Sequence, residues 1–145
     1  MESVRVKLLR PGAKLPTYGS DGAAGADLYA CLSEPVEIMP GKSVFVPTGV
    51  SMEIPEGFAG LIYARSGLAC KRGLAPANKV GVIDSDYRGE FIVVLHNHGD
   101  EPQIIQHGER IAQLLITPVA TPSFQTVQSL DDTERASGGF GSTGK

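Results

Sequence analysis

The stretch Val80-Gly-Val-Ile-Asp-Ser-Asp-Tyr-Arg-Gly-Glu-Phe-Ile-Val-Val-Leu95 carries the pattern that decides the fold. Two aliphatic runs, 80–83 and 91–95, flank the turn-forming segment 84–89. Short runs of branched aliphatic residues bounded by Asp and Gly are typical of β-strands joined by turns. The stretch therefore predicts a β-hairpin with two carboxylates, Asp84 and Asp86, at its mouth.

The same pattern recurs along the rest of the chain. Runs with β-type composition occupy residues 4–8, 36–38, 44–47, 50–54, 60–63 and 111–118. Gly (18 residues) and Pro (10 residues) separate these runs as punctuation, and only residues 66–71 have the composition of a short helix. Many short strands with turn residues between them predict an all-β fold of the sandwich, barrel or jelly-roll type.

Composition limits the classes of function. The 145 residues are enough for one domain, and 41% hydrophobic with 20% charged residues is ordinary for a globular protein. The net charge of −3, with no basic run, does not favour a nucleic-acid partner. The first residues lack a signal-peptide pattern and the aliphatic run 91–95 is too short to span a bilayer, so we expect a cytoplasmic protein without a membrane partner. The two cysteines then favour reduced thiols over a disulfide.

The C-terminal residues differ from the rest in composition. Residues 121–133 are polar, and Gly, Ser and Thr dominate residues 137–145, so we expect a β domain over 1–133 and a flexible arm over 134–145. The arm matches GxGxxG and GxxxxGK, but neither match opens a helix after a strand as those motifs require. Small residues nevertheless expose backbone N–H groups that can bind phosphate, with Arg135, Ser142 and Thr143 as further donors and Phe140 as a stacking ring. A solvated tail is the alternative.

The central segment offers the clearest chemistry. In an extended backbone Asp84 and Asp86 lie on one face, and their repulsion would raise the pKa of one of them. A carboxylate tuned in this way suits a general base that deprotonates water. The alternative is ordinary turn chemistry, which also favours Asp and Gly.

Three further groups of residues stand out. Arg65-Ser-Gly67 follows a strand, where backbone N–H groups can face an anion. Asp27 is a lone acid among small and apolar residues, so it needs an arginine, a metal ion or backbone donors, and a structural Arg–Asp pair and a metal site are both open. His96 and His98 have the spacing of two metal ligands, but without a third ligand nearby a surface loop is favoured over zinc.

These stretches, taken together and in order, resemble the five motifs of the homotrimeric deoxyuridine triphosphate pyrophosphatases (dUTPases). The motifs are Ala24-Gly-Ala-Asp-Leu, Arg65-Ser-Gly-Leu-Ala, Gly81-Val-Ile-Asp-Ser-Asp-Tyr-Arg-Gly, Gly108-Glu-Arg-Ile-Ala-Gln-Leu and Arg135-Ala-Ser-Gly-Gly-Phe-Gly-Ser-Thr-Gly. The resemblance covers nearly the whole chain. One departure is Ala136, where many family arms have Gly.

The resemblance implies a β-clip or jelly-roll subunit that forms a homotrimer with active sites at subunit junctions. It implies that Asp84 activates the water that attacks the α-phosphorus of dUTP, giving dUMP and pyrophosphate, with Mg²⁺ as cofactor held by Asp27 through water. It also implies substrate contacts, which fall on Arg65, Ser66, Gly67, Asn78, Val82, Ile83, Tyr87, Ile92, Gln113, Arg135, Phe140, Gly141, Ser142 and Thr143. Tyr87 would face the deoxyribose, and the hairpin would bind uracil.

Two other functions are compatible with the same motifs. A related dCTP deaminase shares the fold and the triphosphate site but attacks the base. A nucleotide-binding regulatory protein keeps the site without turnover. We expect the intact Asp84 to favour hydrolysis over the regulatory alternative.

Overall fold

The fold is seen in a computed structural model that describes residues 3–141 and 144. Within these residues it has twelve β-strands and one short α-helix. The elements are β1 Arg5–Leu8, β2 Thr17–Tyr18, β3 Ala26–Tyr29, β4 Val36–Ile38, β5 Ser43–Pro47, β6 Val50–Glu53, β7 Phe58–Tyr63, α1 Ser66–Arg72, β8 Leu74–Pro76, β9 Gly81–Ile83, β10 Ile92–Asn97, β11 Gln103–Ile105 and β12 Arg110–Pro118. The prediction of an all-β fold with one short helix is confirmed.

The strands form antiparallel sheets. The largest sheet has five strands in the order β2-β3-β12-β7-β9, and a second has three in the order β5-β10-β8. The pairs β1-β6 and β4-β11 form two smaller ladders. Consequently β9 and β10, which are separated by eight residues of sequence, lie in different sheets.

An aliphatic core joins these sheets. Its largest fully buried side chains include Phe91, Leu28 and Ile111, which come from three different parts of the chain. Moving one such side chain out of water contributes about 1.5–3 kcal/mol. Alternate residues of β10 are buried, so Val93 and Leu95 face the core while Ile92 faces outward. The core thus fixes which side chains of this strand are available for a site.

The predicted hairpin over residues 80–95 is wrong. Strand β9 pairs with β7, whereas β10 pairs with β5 and β8. The segment between them is longer than a hairpin loop and crosses from one sheet to the other. It does so because Phe91 is buried, with its N–H donating to Val50 O at 2.8 Å. Strands β9 and β10, which form the two walls on either side of residues 84–91, are therefore splayed apart instead of paired with each other.

The chain leaves the body of the molecule after β12. The Val119 N–H donates to Gly57 O at 2.9 Å, and residues 120–137 that follow are exposed. Across residues 3–141 and 144 there is no helix long and apolar enough to cross a membrane. Cys31 is a buried free thiol and Cys70 an exposed one.

Candidate active site

Asp27 lies at the centre of one group of predicted site residues, which also contains Arg65 and Gln113. Strand β3 places it in the interior, where it is 9% exposed. Its Oδ1 accepts a hydrogen bond from Arg65 Nε at 2.8 Å, and its Oδ2 accepts one from an Arg110 terminal nitrogen at 3.3 Å. The buried carboxylate is thus neutralised by two guanidinium groups. The expected Arg–Asp pair is present, and Arg110 is a partner that sequence reasoning did not assign.

Arg65 connects Asp27 to the start of α1. The backbone of Arg65 is extended, with φ −87° and ψ 129°, and the helix begins at the next residue, Ser66. Ser66 and Gly67 are exposed, and a side chain added at Gly67 would meet open space. The Arg65–Asp27 ion pair therefore fixes the orientation of this turn, while the two residues after it stay accessible.

Gln113 lies beside Asp27 in the same sheet. It pairs with Asp27 on one side and with Tyr63 of β7 on the other. Its Nε2 donates to Ala64 O at 2.8 Å, which leaves its Oε1 beside Gly25. A Cβ at Gly25 would be 2.6 Å from that oxygen, so only glycine leaves room for Gln113 there.

A cavity of about 620 Å³ opens over Gln113. It is lined by Ala23, Ala24, Gly25, Tyr63, Ala64, Lys79, Gln113 and Leu115. Lys79 is a residue that the sequence analysis missed, and its backbone is in the left-handed region with φ +67°. Non-glycine residues rarely adopt this conformation, and such strain concentrates at functional sites. No sequence pattern signalled it, because Lys79 follows Asn78 in an ordinary turn context.

A second, smaller cavity gathers five of the other predicted residues. It measures about 210 Å³ and is lined by Val82, Ile83, Asp84, Tyr87, Glu90 and Ile92. Sites for drug-sized ligands usually measure about 300–1,000 Å³, so this one suits a smaller molecule or one part of a larger ligand. Asn78 is outside this lining. It sits in the turn between β8 and β9, where its Nδ2 lies 3.5 Å from the position a Gly81 Cβ would take.

Asp84 is at the rim of the smaller cavity and begins a tight turn. The Tyr87 N–H donates to Asp84 O at 3.2 Å, so residues 84–87 are not extended. The prediction that Asp84 and Asp86 share one face of an extended strand is therefore wrong. Arg88 strengthens the turn by donating to Ser85 O at 2.6 Å and to Tyr87 O at 3.1 Å. Asp84 is exposed and faces the cavity from a defined loop.

Tyr87 is held by three neighbours. Its hydroxyl donates to Glu90 O at 2.9 Å, and its ring stacks on Phe91 with centroids 6.3 Å apart. A Cβ at Gly89 would lie 2.5 Å from Tyr87 Cζ, which is far inside van der Waals contact. The glycine of the Tyr-Arg-Gly motif is thus explained by the ring that lies against it.

Glu90 anchors this segment to the N-terminal loop. Its Oε1 accepts a hydrogen bond from Gly49 N–H at 2.7 Å, and Arg10 donates to both of its carboxylate oxygens. Burial disfavours the charged carboxylate, but the bonds from Arg10 and Gly49 outweigh it and hold the pKa of Glu90 below its ordinary value of 4.5. The hydrogen bond to Glu90 in turn raises the pKa of Arg10, which stays protonated.

The two cavities are far apart within one chain. Gln113 pairs with Tyr63 of β7, whereas Ile83 pairs with Gly60 of the same strand, three residues away. A strand spacing of ~4.8 Å and a rise of ~3.4 Å per residue put the backbone of Asp27 on the order of 17 Å from that of Ile83. The linings described above have no residue in common.

No described residue of the arm is part of either cavity lining. Arg135 Nε donates to Gly138 O at 2.9 Å within a local turn, and the Phe140 ring is fully exposed. Ala136, the departure from the family pattern, is in the left-handed region with φ +44°. Gly141 is described, whereas Ser142 and Thr143 lie outside the described residues.

The predicted metal ligands are also placed. Within residues 3–141 and 144, no three His, Cys, Asp or Glu side chains are close enough together to form a metal site. His96 is on β10, and its Nδ1 lies 2.9 Å from Ser43 Oγ.

A sequence model of the dUTPase family matches residues 12–144. The chain belongs to the dUTPase family. The deoxyuridine 5'-triphosphate nucleotidohydrolase of Desulfitobacterium hafniense is 49% identical over 149 aligned positions, covering 99% of each chain. The enzyme of the same name from Syntrophotalea carbinolica is 48% identical, covering 98% of this chain and 97% of its own.

Solved dUTPases share the fold as well. The dUTPase of Staphylococcus bacteriophage 80alpha, in its structure with dUpNHpp, superposes with a TM-score of 0.92 at 29% identity and covers 100% of both chains. A mutant dUTPase of the S. aureus phage phi11, whose structure concerns the coordination of a structural Mg(II) ion, has a TM-score of 0.82 at 25% identity, covering 90% of this chain and 100% of its own. The predicted jelly-roll or β-clip subunit is confirmed.

Proposed function

We propose that this chain is a dUTP diphosphatase that hydrolyses dUTP to dUMP and pyrophosphate. The observation that carries the proposal is the 210 Å³ cavity, which brings Asp84, Tyr87, Val82, Ile83 and Ile92 together. Membership of the dUTPase family and the dUpNHpp-bound phage structure support the choice of substrate. Such an enzyme limits uracil incorporation into DNA and supplies dUMP for thymidylate synthesis. A cytoplasmic location, without nucleic-acid or membrane partners, stays a prediction.

Asp84 is the proposed general base. Its carboxylate takes a proton from a water molecule as the water oxygen forms a bond to the α-phosphorus. The bond between the α-phosphorus and the bridging oxygen breaks, and pyrophosphate leaves with the electron pair. The turn closed by Tyr87 N–H and Arg88 fixes the backbone of Asp84 for this role. Phosphoryl transfer depends mainly on such positioning and on charge stabilisation.

The smaller cavity is proposed to hold the nucleoside. The deoxyribose lies against the Tyr87 ring, which leaves no room for a 2′-hydroxyl. The backbone of Val82 and Ile83, with Ile92 opposite and Asn78 in the turn before β9, is proposed to contact uracil. Backbone donors and acceptors discriminate strongly, because a wrong base leaves buried polar groups unpaired.

We assign the phosphates of the substrate to the group of predicted residues near Asp27. Ser66 and Gly67 are accessible at the start of α1, and Gln113 lies under the 620 Å³ cavity. Arg65 is proposed to act beside them while it stays bound to Asp27.

The chain fits Mg²⁺ only as a cation that arrives with the triphosphate. Each Asp27 oxygen accepts one arginine N–H and keeps a further lone pair for a water molecule. Mg²⁺ usually retains several waters and takes one or two carboxylates together with substrate phosphates. When bound, the ion neutralises phosphate charge, and Asp27 is proposed to hold it through water.

A complete site requires a second copy of the chain. The separation of Asp27 and Gln113 from the Asp84 cavity is too large for both groups to serve one α-phosphate. Apolar side chains after β12, including Phe124 at 98% and Leu130 at 85% exposure, are also left in water by the single chain, and a second copy would bury them. We therefore propose the homotrimer typical of the family, with each active site shared between subunits.

The arm, residues 134–145, is proposed to close over such a shared site. Phe140 would stack on uracil, and Arg135, Gly141, Ser142 and Thr143 would bind the outer phosphates. A fully exposed phenylalanine ring in the single chain supports this assignment. Closure would exclude water other than the attacking molecule.

The test is pyrophosphate release from dUTP, dTTP, dCTP and UTP. We expect hydrolysis of dUTP with strong preference over the others, and a loss of about 10³-fold or more in kcat for Asp84→Asn. Asp86→Asn is the matched control, since Asp86 is exposed in the same turn, and it should retain activity. Equal rates for wild type and Asp84→Asn would refute the role of Asp84 as the general base. Ammonia release from dCTP would indicate the deaminase, and tight dUTP binding without turnover the regulatory protein.

A further inference from the structure

The ion pair between Arg10 and Glu90 joins two parts of the chain that are 80 residues apart. Arg10 follows β1 and lines neither cavity, whereas Glu90 lines the smaller one. Both guanidinium terminal nitrogens donate to the carboxylate, and Gly49 N–H donates to the same group at 2.7 Å. Fork-like pairing of this kind fixes direction as well as distance. The side chain of Glu90 is thus fixed from two sides.

The backbone of Glu90 is the acceptor that holds Tyr87. The Tyr87 hydroxyl donates to Glu90 O, and the ring rests on Phe91, the next residue. Phe91 itself is fixed through its N–H to Val50 O and its carbonyl to Thr48 Oγ1. On the other side of Glu90, Gly89 lies under the ring and adds no side chain to support it. The Arg10 and Gly49 bonds are therefore what fixes Glu90 beyond its attachment to Phe91.

We propose that Arg10 and Glu90 are positioning residues that hold the Tyr87 ring and thereby set the discrimination between deoxyribose and ribose. This inference rests on the proposed function, in which Tyr87 faces the sugar. Arg10 lines neither cavity, and the Glu90 carboxylate is already bonded to Arg10 and Gly49, so the pair acts through Tyr87. Rejection of a 2′-hydroxyl requires the ring to stay in place, because a ring that swings aside leaves space for the extra oxygen.

The test compares Arg10→Gln and Glu90→Gln with wild type on dUTP, UTP and dCTP. For both variants we expect the ratio of kcat/KM for dUTP over UTP to fall about fivefold, because a charge-assisted contact is replaced by a weaker neutral one. The ratio for dUTP over dCTP should stay unchanged, since the contacts to the base are not altered. The double variant should lose no more than either single variant. Arg10→Lys should recover part of the sugar discrimination.

The matched control is Arg5→Gln. Arg5 forms an ion pair with Glu53 in the neighbouring β1-β6 ladder, away from the smaller cavity. Its loss removes the same kind of contact from the same part of the chain, so its dUTP over UTP ratio should equal that of wild type. A ratio unchanged in Arg10→Gln and Glu90→Gln, or lowered equally in Arg5→Gln, would overturn the proposal.

A readout without substrate separates this inference from the proposed function. Tyr87 ring signals in NMR spectra, assigned with Tyr87→Phe, should carry a ring-current shift from Phe91 that shrinks in Arg10→Gln and Glu90→Gln but not in Arg5→Gln. If the wild-type protein did not hydrolyse dUTP, the proposed function would be refuted. A smaller ring-current shift in Arg10→Gln and Glu90→Gln would still support the positioning role. Identical Tyr87 spectra in all four proteins would refute the positioning role whatever the activity.

Discussion

At the scale of single residues, the candidate site depends on the space that neighbouring glycines leave for larger side chains. Gly25 leaves space for Gln113, and Gly89 leaves space for Tyr87. Neither glycine has a positive φ that would require it, so steric room is the reason for each. The sequence motifs contain both glycines, but only the folded chain shows which side chain each one accommodates.

Replacing Gly89 with alanine should displace Tyr87. The new Cβ would lie 2.5 Å from Cζ and 2.8 Å from Cε2 of the ring, so the ring must move. We expect the dUTP over UTP ratio of kcat/KM to fall about tenfold, with a loss of stability of about 1–3 kcal/mol from overpacking. Steady-state kinetics and urea unfolding measure the two effects. Gly67→Ala, where a Cβ meets open space, is a steric control for stability. An unchanged ratio in Gly89→Ala would contradict this account.

The low pKa of Glu90 predicts a pH-dependent stability. The unfolded chain binds the proton more readily than the folded one, so the carboxylate stabilises the fold fully above pH 4.5. This contribution is lost as the pH falls below 4.5 through the lower pKa of the folded state. We expect the difference in unfolding free energy between wild type and Glu90→Gln to shrink over that window. Urea titrations at several pH values measure it, and a difference independent of pH would argue against the cause given.

At the scale of elements, the Arg65–Asp27–Arg110 cluster ties α1, β3 and β12 together. The short aliphatic runs in the sequence reveal strands such as β7 and β12, but they do not reveal β3. That strand is Ala-Asp-Leu-Tyr, with a charged residue in a buried position, and its pairing with β12 supplies the stability that local propensity lacks. Strands β2, β8 and β11 were also not predicted; each has only two or three residues, and β2 and β8 lack the pair of branched aliphatic side chains that marks the short β4 and β9.

Replacing Asp27 with asparagine should destabilise the fold even without metal. Two guanidinium groups would lose their counter-charge near a buried site, although the half-exposed Arg110 reduces the cost through solvent screening. We expect a loss of about 2 kcal/mol and a fall in Tm of roughly 6 °C. Thermal unfolding in EDTA measures this structural role separately from any Mg²⁺ effect. A Tm equal to that of wild type in EDTA would mean that Asp27 serves the metal alone.

At the scale of the whole molecule, the site could be predicted only in parts. The order of motifs predicted a role for Asp84, Tyr87, Val82, Ile83 and Ile92, and these residues line one cavity, although their roles stay predictions. The sequence could not show that Asp27 and Gln113 lie elsewhere, because their separation follows from sheet order and register. The predicted hairpin failed for the same reason. Its strands pair with distant partners, and burial of Phe91 decides that choice.

The proposed sharing of active sites between subunits predicts that two inactive variants can complement each other. Asp84→Asn subunits keep an intact Gln113, and Gln113→Ala subunits keep an intact Asp84. After subunit exchange in mild denaturant, about a quarter of the sites in an equal mixture should hold both intact residues. Pyrophosphate release from the mixture, compared with each variant alone, measures the recovery. Mixing Asp84→Asn with Asp84→Ala is the control and should recover nothing. A mixture as inactive as its components would place each site within one chain.

The splayed walls around residues 84–91 also have an evolutionary consequence. Val82 and Ile92 face each other from different sheets, and they are 63% and 43% exposed. Neither belongs to the core, so substitutions at either position cost little stability. Each wall can therefore vary independently without disturbing the other sheet. The nucleobase preference of this scaffold is thus open to gradual change by single mutations, while the fold that supports it stays the same.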